Sequence, residues 1–422
     1  MDRFIRLSIM MFLEFFVWGC WFVTVGNFLD AHPGLNSVRS WVYSAGPIAA
    51  IISPFFLGMV ADRFFSSERV LAGLMLVAGA AMVGLALVAQ KDGGTGDLRW
   101  LFVAMLMLHT LCYFPTLGLT NTIAFHSLTN QEKQFPLIRV FGTFGWIASS
   151  GWIVSKLLHA DTKITQFYLS AGACLALAIF SFFLPHTPPP AKGQKVSARA
   201  ILGLDALSLL KNRSFALFMI SSFLICIPLA AYFAYAQSFV GAAGFKDPGY
   251  AMSYGQVVEV VFMAAMPLFF AFLGVKWMIL MGMLAWVVRY ALFAGAATNG
   301  IAWMIVGGIL LHGICYDFFF VTGFIYTDKK VSPQMRGQAQ GLLVLVTQGL
   351  GMFFGAQIAV AIGNHILQGT GEALLRSYQK LWLVPCIMSA VIMVLFLIFF
   401  KDDTKAQPKP GEVEAVGAGE KA

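Results

Sequence analysis

Apolar runs long enough to cross a lipid bilayer recur along this chain from end to end, and they leave little room for any other architecture. About 20 mainly apolar residues span the hydrocarbon core as a helix. On that measure the sequence predicts twelve spans, at 4–29, 38–61, 68–90, 99–125, 135–158, 164–184, 212–240, 250–273, 275–296, 300–326, 334–362 and 378–400. Of the 422 residues, 59% are hydrophobic and 11% charged. Ordinary globular domains carry roughly a quarter charged residues. A soluble core cannot absorb this much apolar surface, so an all-α integral membrane protein is expected. The first run starts basic, at Arg3 and Arg6, and stays apolar too long for a signal-peptide core, so it reads as a retained first helix.

One gap differs in kind. LPHTPPPAKGQKVSARAILGLDALSLLKNRS, from 184 to 214, is broken by prolines and carries Lys192, Lys195, Arg199, Lys211 and Arg213. Proline cannot continue a helix, so this segment reads as a polar linker with a short amphipathic piece. It divides the spans six and six. The expected organisation is one six-helix bundle over 1–185, a linker over 186–211, a second bundle over 212–400 and a disordered tail over 401–422.

Charge fixes the expected orientation. Loops on the side of the N-terminus hold Arg63, Arg69, Lys133, the linker cluster, Lys276, Lys329, Lys330 and Arg336, and the opposite loops hold fewer basic residues. The positive-inside rule then puts both termini and the linker in the cytoplasm of a bacterial inner membrane. The net charge of +8 is scattered among these short loops, which suits lipid headgroups and not nucleic acid. Six cysteines lie in apolar stretches without CxxC spacing and suggest neither a disulfide framework nor a metal site.

Six charges fall inside the spans: Glu14, Arg139, Lys156, Glu259, Arg289 and Asp317. A charge within the bilayer is costly unless it faces a cavity or a partner. Lys156 is near the end of its span and can snorkel to the interface. Arg289 reads as an outer-leaflet snorkeler or a structural ion-pair partner, and Glu14 as structural or part of a proton path. Arg139, Thr143 and Trp146 recur at i, i+4 and i+7 and so share one helical face, with Gly142 and Gly145 allowing a close neighbour. Gln256 and Glu259 share a face at i−3. Asp317, beside Tyr316 in GICYDFFFVTGF, has no local charge to offset it. Either these groups form a purely structural ion-pair network, or they bind and release a proton as the exposure of the site changes.

The two-bundle layout resembles the major facilitator superfamily, whose substrate site lies between the halves near mid-membrane. In GMVADRFFSSER (58–69), Gly58, Asp62 and Arg63 resemble that superfamily's loop signature, although its later glycine and paired basic residues are absent. The segments FVWGCWFVTVG (16–26), YFPTLGLTNTIAF (113–125), FPLIRVFGTFGW (135–146), ILGLDALSLLKN (201–212), AWVVRYALFA (285–294) and YDFFFVTGFIYTDKKVSPQMRGQAQG (316–341) resemble one of its families, the nucleoside:proton symporters.

That resemblance implies a central site lined by Arg139, Thr143, Trp146, Phe233, Gln256, Glu259, Tyr316 and Asp317. It implies that Asp317 carries the coupling proton, that Glu259 binds substrate or a second proton, and that Arg139 is the electrostatic partner of both. Span seven departs from the pattern: Ala230 and Phe233 stand where relatives carry polar side chains, and Tyr232, Tyr235 and Gln237 are the candidates to compensate. The expected function is nucleoside import by proton symport through alternating access, by a monomer without a cofactor. A sugar or other polyhydroxylated solute on the same scaffold is the alternative. An enzyme is not expected, because His109, His126, His159, His186 and His312 show no H-E-x-x-H spacing and no G-x-S-x-G occurs. No G-x-x-x-x-G-K-[ST] loop supports an ATP-driven pump.

Overall fold

Lipid offers a backbone no hydrogen-bond partners, so a chain this apolar must satisfy its peptide groups internally, as helices do. A computed structural model describes residues 2–56, 65–189, 204–299, 301–332 and 335–403. Gly58, Asp62 and Arg63, together with residues 190–203 of the linker and the tail from residue 404, lie outside these described residues.

Among the described residues the chain is helical, with no strand. The first stretch comprises α1 (Arg3–Gly19), α2 (Val25–Ala31), α3 (Arg39–Phe56), α4 (Ser67–Asp92), α5 (Arg99–Ser127), α6 (Gln131–Trp146) and α7 (Thr165–Ser181). The second comprises α8 (Arg213–Ala242), α9 (Pro248–Asn299), α10 (Ala302–Lys329), α11 (Arg336–Ile366) and α12 (Glu372–Phe399). The first expected span is broken by a turn between α1 and α2. Two further spans fall within α9, which breaks at Gly274, with φ 67° and ψ −176°. That backbone conformation is open to glycine and closed to other residues, so the chain can reverse there without a long loop. Eight helices of the described residues are long and apolar enough to cross a membrane, and the protein is a multi-pass membrane protein.

The surface inverts the soluble pattern. Phe272 and Trp303 are 82% and 68% exposed, while Glu14, His109, Gln166, Arg289 and Asp317 are fully buried. Within the first stretch α1 packs on α6 and α7, and α4 on α5 and α7; within the second, α8 packs on α11 and α12, and α9 on α10 and α12. Between the stretches α3 meets α11, α2 meets α8, and the end of the α6 helix meets α9. The expected close approach at Gly145 is real: a Cβ there would overlap the Phe12 carbonyl of α1.

Three helices widen into π-helical turns: α6 is continued by Ile147–Leu157, α10 contains Asp317–Val321, and α11 contains Leu345–Gly351. Such turns are uncommon and recur at functional sites. All three begin beside or within the cavity described below.

The two ends of the molecule are tied differently. At the end that holds the N-terminus, Arg3 bonds the Ser127 carbonyl, and Lys330 pairs with Asp403, each within its own stretch. At the far end the bonds cross from one stretch to the other. Asp161 accepts from Gln237 Nε2 at 2.8 Å and from the Gly249 amide at 3.2 Å. Asp247 accepts from Lys156 at 2.8 Å and contacts His159 Nδ1 at 2.9 Å. Arg39, held by Asp30, donates to the Ala234 carbonyl at 2.7 Å. The Lys156 hydrogen bond, with His159 assisting, holds the Asp247 carboxyl below the usual carboxylate range.

Candidate functional site

Between the two stretches lies a cavity of about 180 Å³. Its walls have different chemistry. One is aromatic: Phe15, Trp18 and Phe22 come from α1 and the turn after it, Phe114 from α5 and Trp146 from α6. Trp18 meets Trp146 edge-on at 5.2 Å and Phe114 at 5.5 Å, the geometry that aromatic quadrupoles prefer. Phe233 of α8 closes this wall from the other stretch, 5.4 Å from Phe22.

The other wall is polar. Arg139 and Thr143 of α6 face Gln256 and Glu259 of α9, His312 and Tyr316 of α10, and Gln348 of α11. The helical spacing read from sequence therefore holds: Arg139, Thr143 and Trp146 share one cavity face, and so do Gln256 and Glu259. The Arg139 guanidinium lies 4.0 Å from the centre of the Phe15 ring. Its carboxylate neighbours are Glu259 and Glu14, which act on it through space; among the described residues no ion pair within 4 Å joins it to either. Arg139 and Glu259 thus confront each other across open volume, a gap that a polar ligand can fill. Among the described residues, the indole N–H groups of Trp18 and Trp146 and the Tyr43 hydroxyl are buried without hydrogen-bond partners. Unpaired buried donors are uncommon in native structures and mark positions where a partner is missing.

Asp317 stands apart from the other expected site residues and is not among those that line this cavity. It is fully buried, and among the described residues neither carboxylate oxygen has a hydrogen-bond partner. Tyr316 faces the cavity, and one residue further along a helix is about 100° further round. The helix of Glu259 packs against the turn of Asp317, so the two acids stand on neighbouring elements although only one of them is in the cavity.

The other intramembrane charges also find places. Glu14 accepts from Thr116 at 2.6 Å and lies within the field of Arg139. Lys156 is half exposed at the far end, as its position near a span end suggested, and pairs with Asp247. Arg289 is not a lipid-facing snorkeler, and among the described residues it has no ion-pair partner. It is fully buried, donates from Nε to the Gly308 carbonyl at 2.9 Å, and rests on the Tyr232 ring at 4.2 Å. The span-seven candidates do not compensate for Ala230 and Phe233. Tyr232 packs behind the cavity, Tyr235 lies under Arg39, and Gln237 bonds Asp161 at the far end.

Sequence reasoning missed His312 and Gln348. His312 stands four residues before Tyr316 and so on the same helical face, the signal that could have found it. Gln348 is a polar residue in an apolar run.

A polar and aromatic cavity between two sets of membrane helices, lined from both, is the arrangement of secondary transporters of the major facilitator fold. Solved transporters share that fold, among them a D-xylose–proton symporter with TM-score 0.71 at 14% identity, covering 96% of this chain and 100% of that one. Residues 1–405 match the family model described as "Nucleoside H+ symporter". The chain belongs to this family, whose members transport and do not catalyse covalent chemistry. It is 39% identical over 406 residues to YegT of Escherichia coli (strain K12), covering 94% of this chain and 93% of the relative. It is 30% identical over 414 residues to the nucleoside permease NupG of the same organism, covering 94% and 96%. A crystal structure of NupG superposes with TM-score 0.82 at 28% identity, covering 96% of this chain and all of that one.

Proposed function

We propose that this protein imports nucleosides across the bacterial inner membrane together with a proton, by exposing the cavity alternately to the two sides. The observation that carries the reading is the lining itself. Arg139, Thr143 and Trp146 from one stretch and Gln256, Glu259 and Tyr316 from the other meet around one volume, in a chain of the nucleoside H+ symporter family. The chemistry suits the cargo. Amide and carboxylate groups exchange hydrogen bonds with ribose hydroxyls, and the aromatic wall stacks on a base.

The two stretches act as six-helix bundles, 1–185 and 212–400, joined by the 186–211 linker, with twelve crossings and both termini cytoplasmic. Gly58, Asp62 and Arg63 belong to the conformational loop motif of the first bundle. The far end is then the outer end, closed here by Asp161, Asp247 and Arg39. Asp317 and Glu259 form the proton-loading pair: protonation removes one of two neighbouring negative charges, and Arg139 answers the one that remains. The carrier works as a monomer.

Uptake of labelled uridine and adenosine into proteoliposomes, with and without an inward proton gradient, tests this reading. Accumulation should follow the gradient; equal uptake without one would remove symport. A sugar cargo is the second reading, favoured by one observation: Ala230 and Phe233 give α8 no polar contact with the cavity. Competition between nucleosides and sugars for thermal stabilisation of the purified carrier separates the two.

A further inference from the structure

His312 has no part in the roles assigned so far, yet its position is tightly built. α9 and α10 approach so closely that a Cβ on Gly313 would come within 2.8 Å of Glu259 Cα, and one on Gly255 within 3.0 Å of His312 Cβ. This interlocking sets His312 Nε2 3.6 Å from Glu259 Oε2. The imidazole is held between two rings, stacked on Tyr232 at 5.6 Å and on Tyr316 at 5.8 Å, so its plane is fixed. It is 5% exposed and lines the cavity, and its Nδ1 has no hydrogen-bond partner among the described residues.

A separation of 3.6 Å is too long for a hydrogen bond. It suits a shared third atom: one hydroxyl oxygen can sit about 2.8 Å from both groups. A hydroxyl donates once and accepts twice, a carboxylate only accepts, and a neutral imidazole offers one N–H. The three satisfy one another when the hydroxyl donates to Glu259 Oε2 and accepts from His312 Nε2. The stack also opposes a charged imidazole. Arg289 already rests a guanidinium on Tyr232, the ring against which His312 stacks, and a charged imidazole would bring a second cation to that ring.

We propose that His312 is a specificity-determining residue that, with Glu259, takes one sugar hydroxyl of the cargo as a shared partner and makes the carrier selective for ribosides over deoxyribosides. This rests on the nucleoside reading above. Breaking the bridge from the ligand side leaves a carboxylate and an imidazole unpaired in a buried site, so the deoxy analogue binds more weakly on the order of ten- to a hundredfold.

The test is calorimetric binding of uridine, 2′-deoxyuridine and 3′-deoxyuridine to the purified full-length carrier, as wild type, His312→Phe and His312→Asn. Wild type should bind one deoxy analogue at least tenfold more weakly than uridine. His312→Phe should cut uridine's advantage over that analogue several-fold, because uridine then loses one of the two bonds at its hydroxyl and the analogue has none there to lose. His312→Asn, which keeps a donor, should restore part of the preference. The inference is overturned if wild type binds all three alike, or if His312→Phe keeps the full wild-type ratio. Should His312→Phe fail to fold, His312→Asn alone decides: affinities for uridine and both analogues falling by one common factor would reduce His312 to packing. If wild type binds none of the three, the nucleoside reading itself falls and this inference with it. Binding without discrimination overturns only the inference.

Discussion

Alternating exposure requires the far end to open, and Asp161 is where that opening can be biased most cleanly. Its carboxylate, 7% exposed in the turn before α7, accepts two bonds from the other stretch, from Gln237 Nε2 and from the Gly249 amide. A hydrogen bond to a charged acceptor contributes about 1.5 kcal/mol at the low end of its range. Asp161→Ala removes both, and with them about 3 kcal/mol of preference for the closed far end, or roughly two powers of ten in the equilibrium. Lys163 and Lys246 are exposed on the two sides of this contact, one in each stretch. Nitroxide labels on Lys163→Cys and Lys246→Cys, in a background with the six free cysteines replaced, report the separation by pulsed electron–electron resonance. The parent should give one short distance and Asp161→Ala a dominant longer one. Asp161→Asn, which keeps one acceptor oxygen, should fall between. Superimposable distributions for the parent and a folded Asp161→Ala protein would refute the reasoning, because the bridge would then contribute nothing to closure.

Three further outcomes follow from the geometry. Asp317→Asn should abolish gradient-driven accumulation in proteoliposomes while leaving counterflow of labelled nucleoside; undiminished accumulation would move the coupling proton elsewhere. The depressed Asp247 carboxyl stabilises the closed far end above the ordinary carboxylate range, near pH 4, and this stabilisation fades as pH falls through its lowered value. With Asp161→Asn removing the other carboxylate of this contact, which burial shifts upward, the label distance should stay constant from neutral pH to about pH 5 and lengthen only in stronger acid. Gly313→Val should lower Tm, costing about 1–3 kcal/mol, because its side chain meets the Glu259 backbone and no flexible atom can yield.

Much of the cavity could be read from single helices. Arg139, Thr143 and Trp146, and likewise Gln256 and Glu259, are spaced so that each set must share a face, and an ionisable face inside a membrane must find polar company. Asp317 shows where this reasoning stops. An isolated acid in an apolar run announces itself, but Tyr316 beside it faces the cavity, and a π-helical turn starting at Asp317 breaks the 3.6-residue period that pattern reading assumes. His312 was passed over because its partner is on another helix, and sequence distance says nothing of which helices interlock. Arg289 is structural, one of its two readings, but its partners are a carbonyl and a ring and not an acid. The stretch of α9 from 277 to 297 has no other charge, so no polar face distinguished the side toward lipid from the side toward Tyr232.

A helix with one residue too many in a turn is a lever with a joint. The widened turns that continue α6 carry Lys156, and further along the chain lie His159 and Asp161, the residues that grip the second stretch; before those turns lie Arg139 and Thr143, which face the cavity. The residues that grip the second stretch and those that line the cavity are thus set apart along one helix and the turn that follows it, on either side of the point where its regular period ends. Closing the far end and contacting the load fall to different side chains of the same segment.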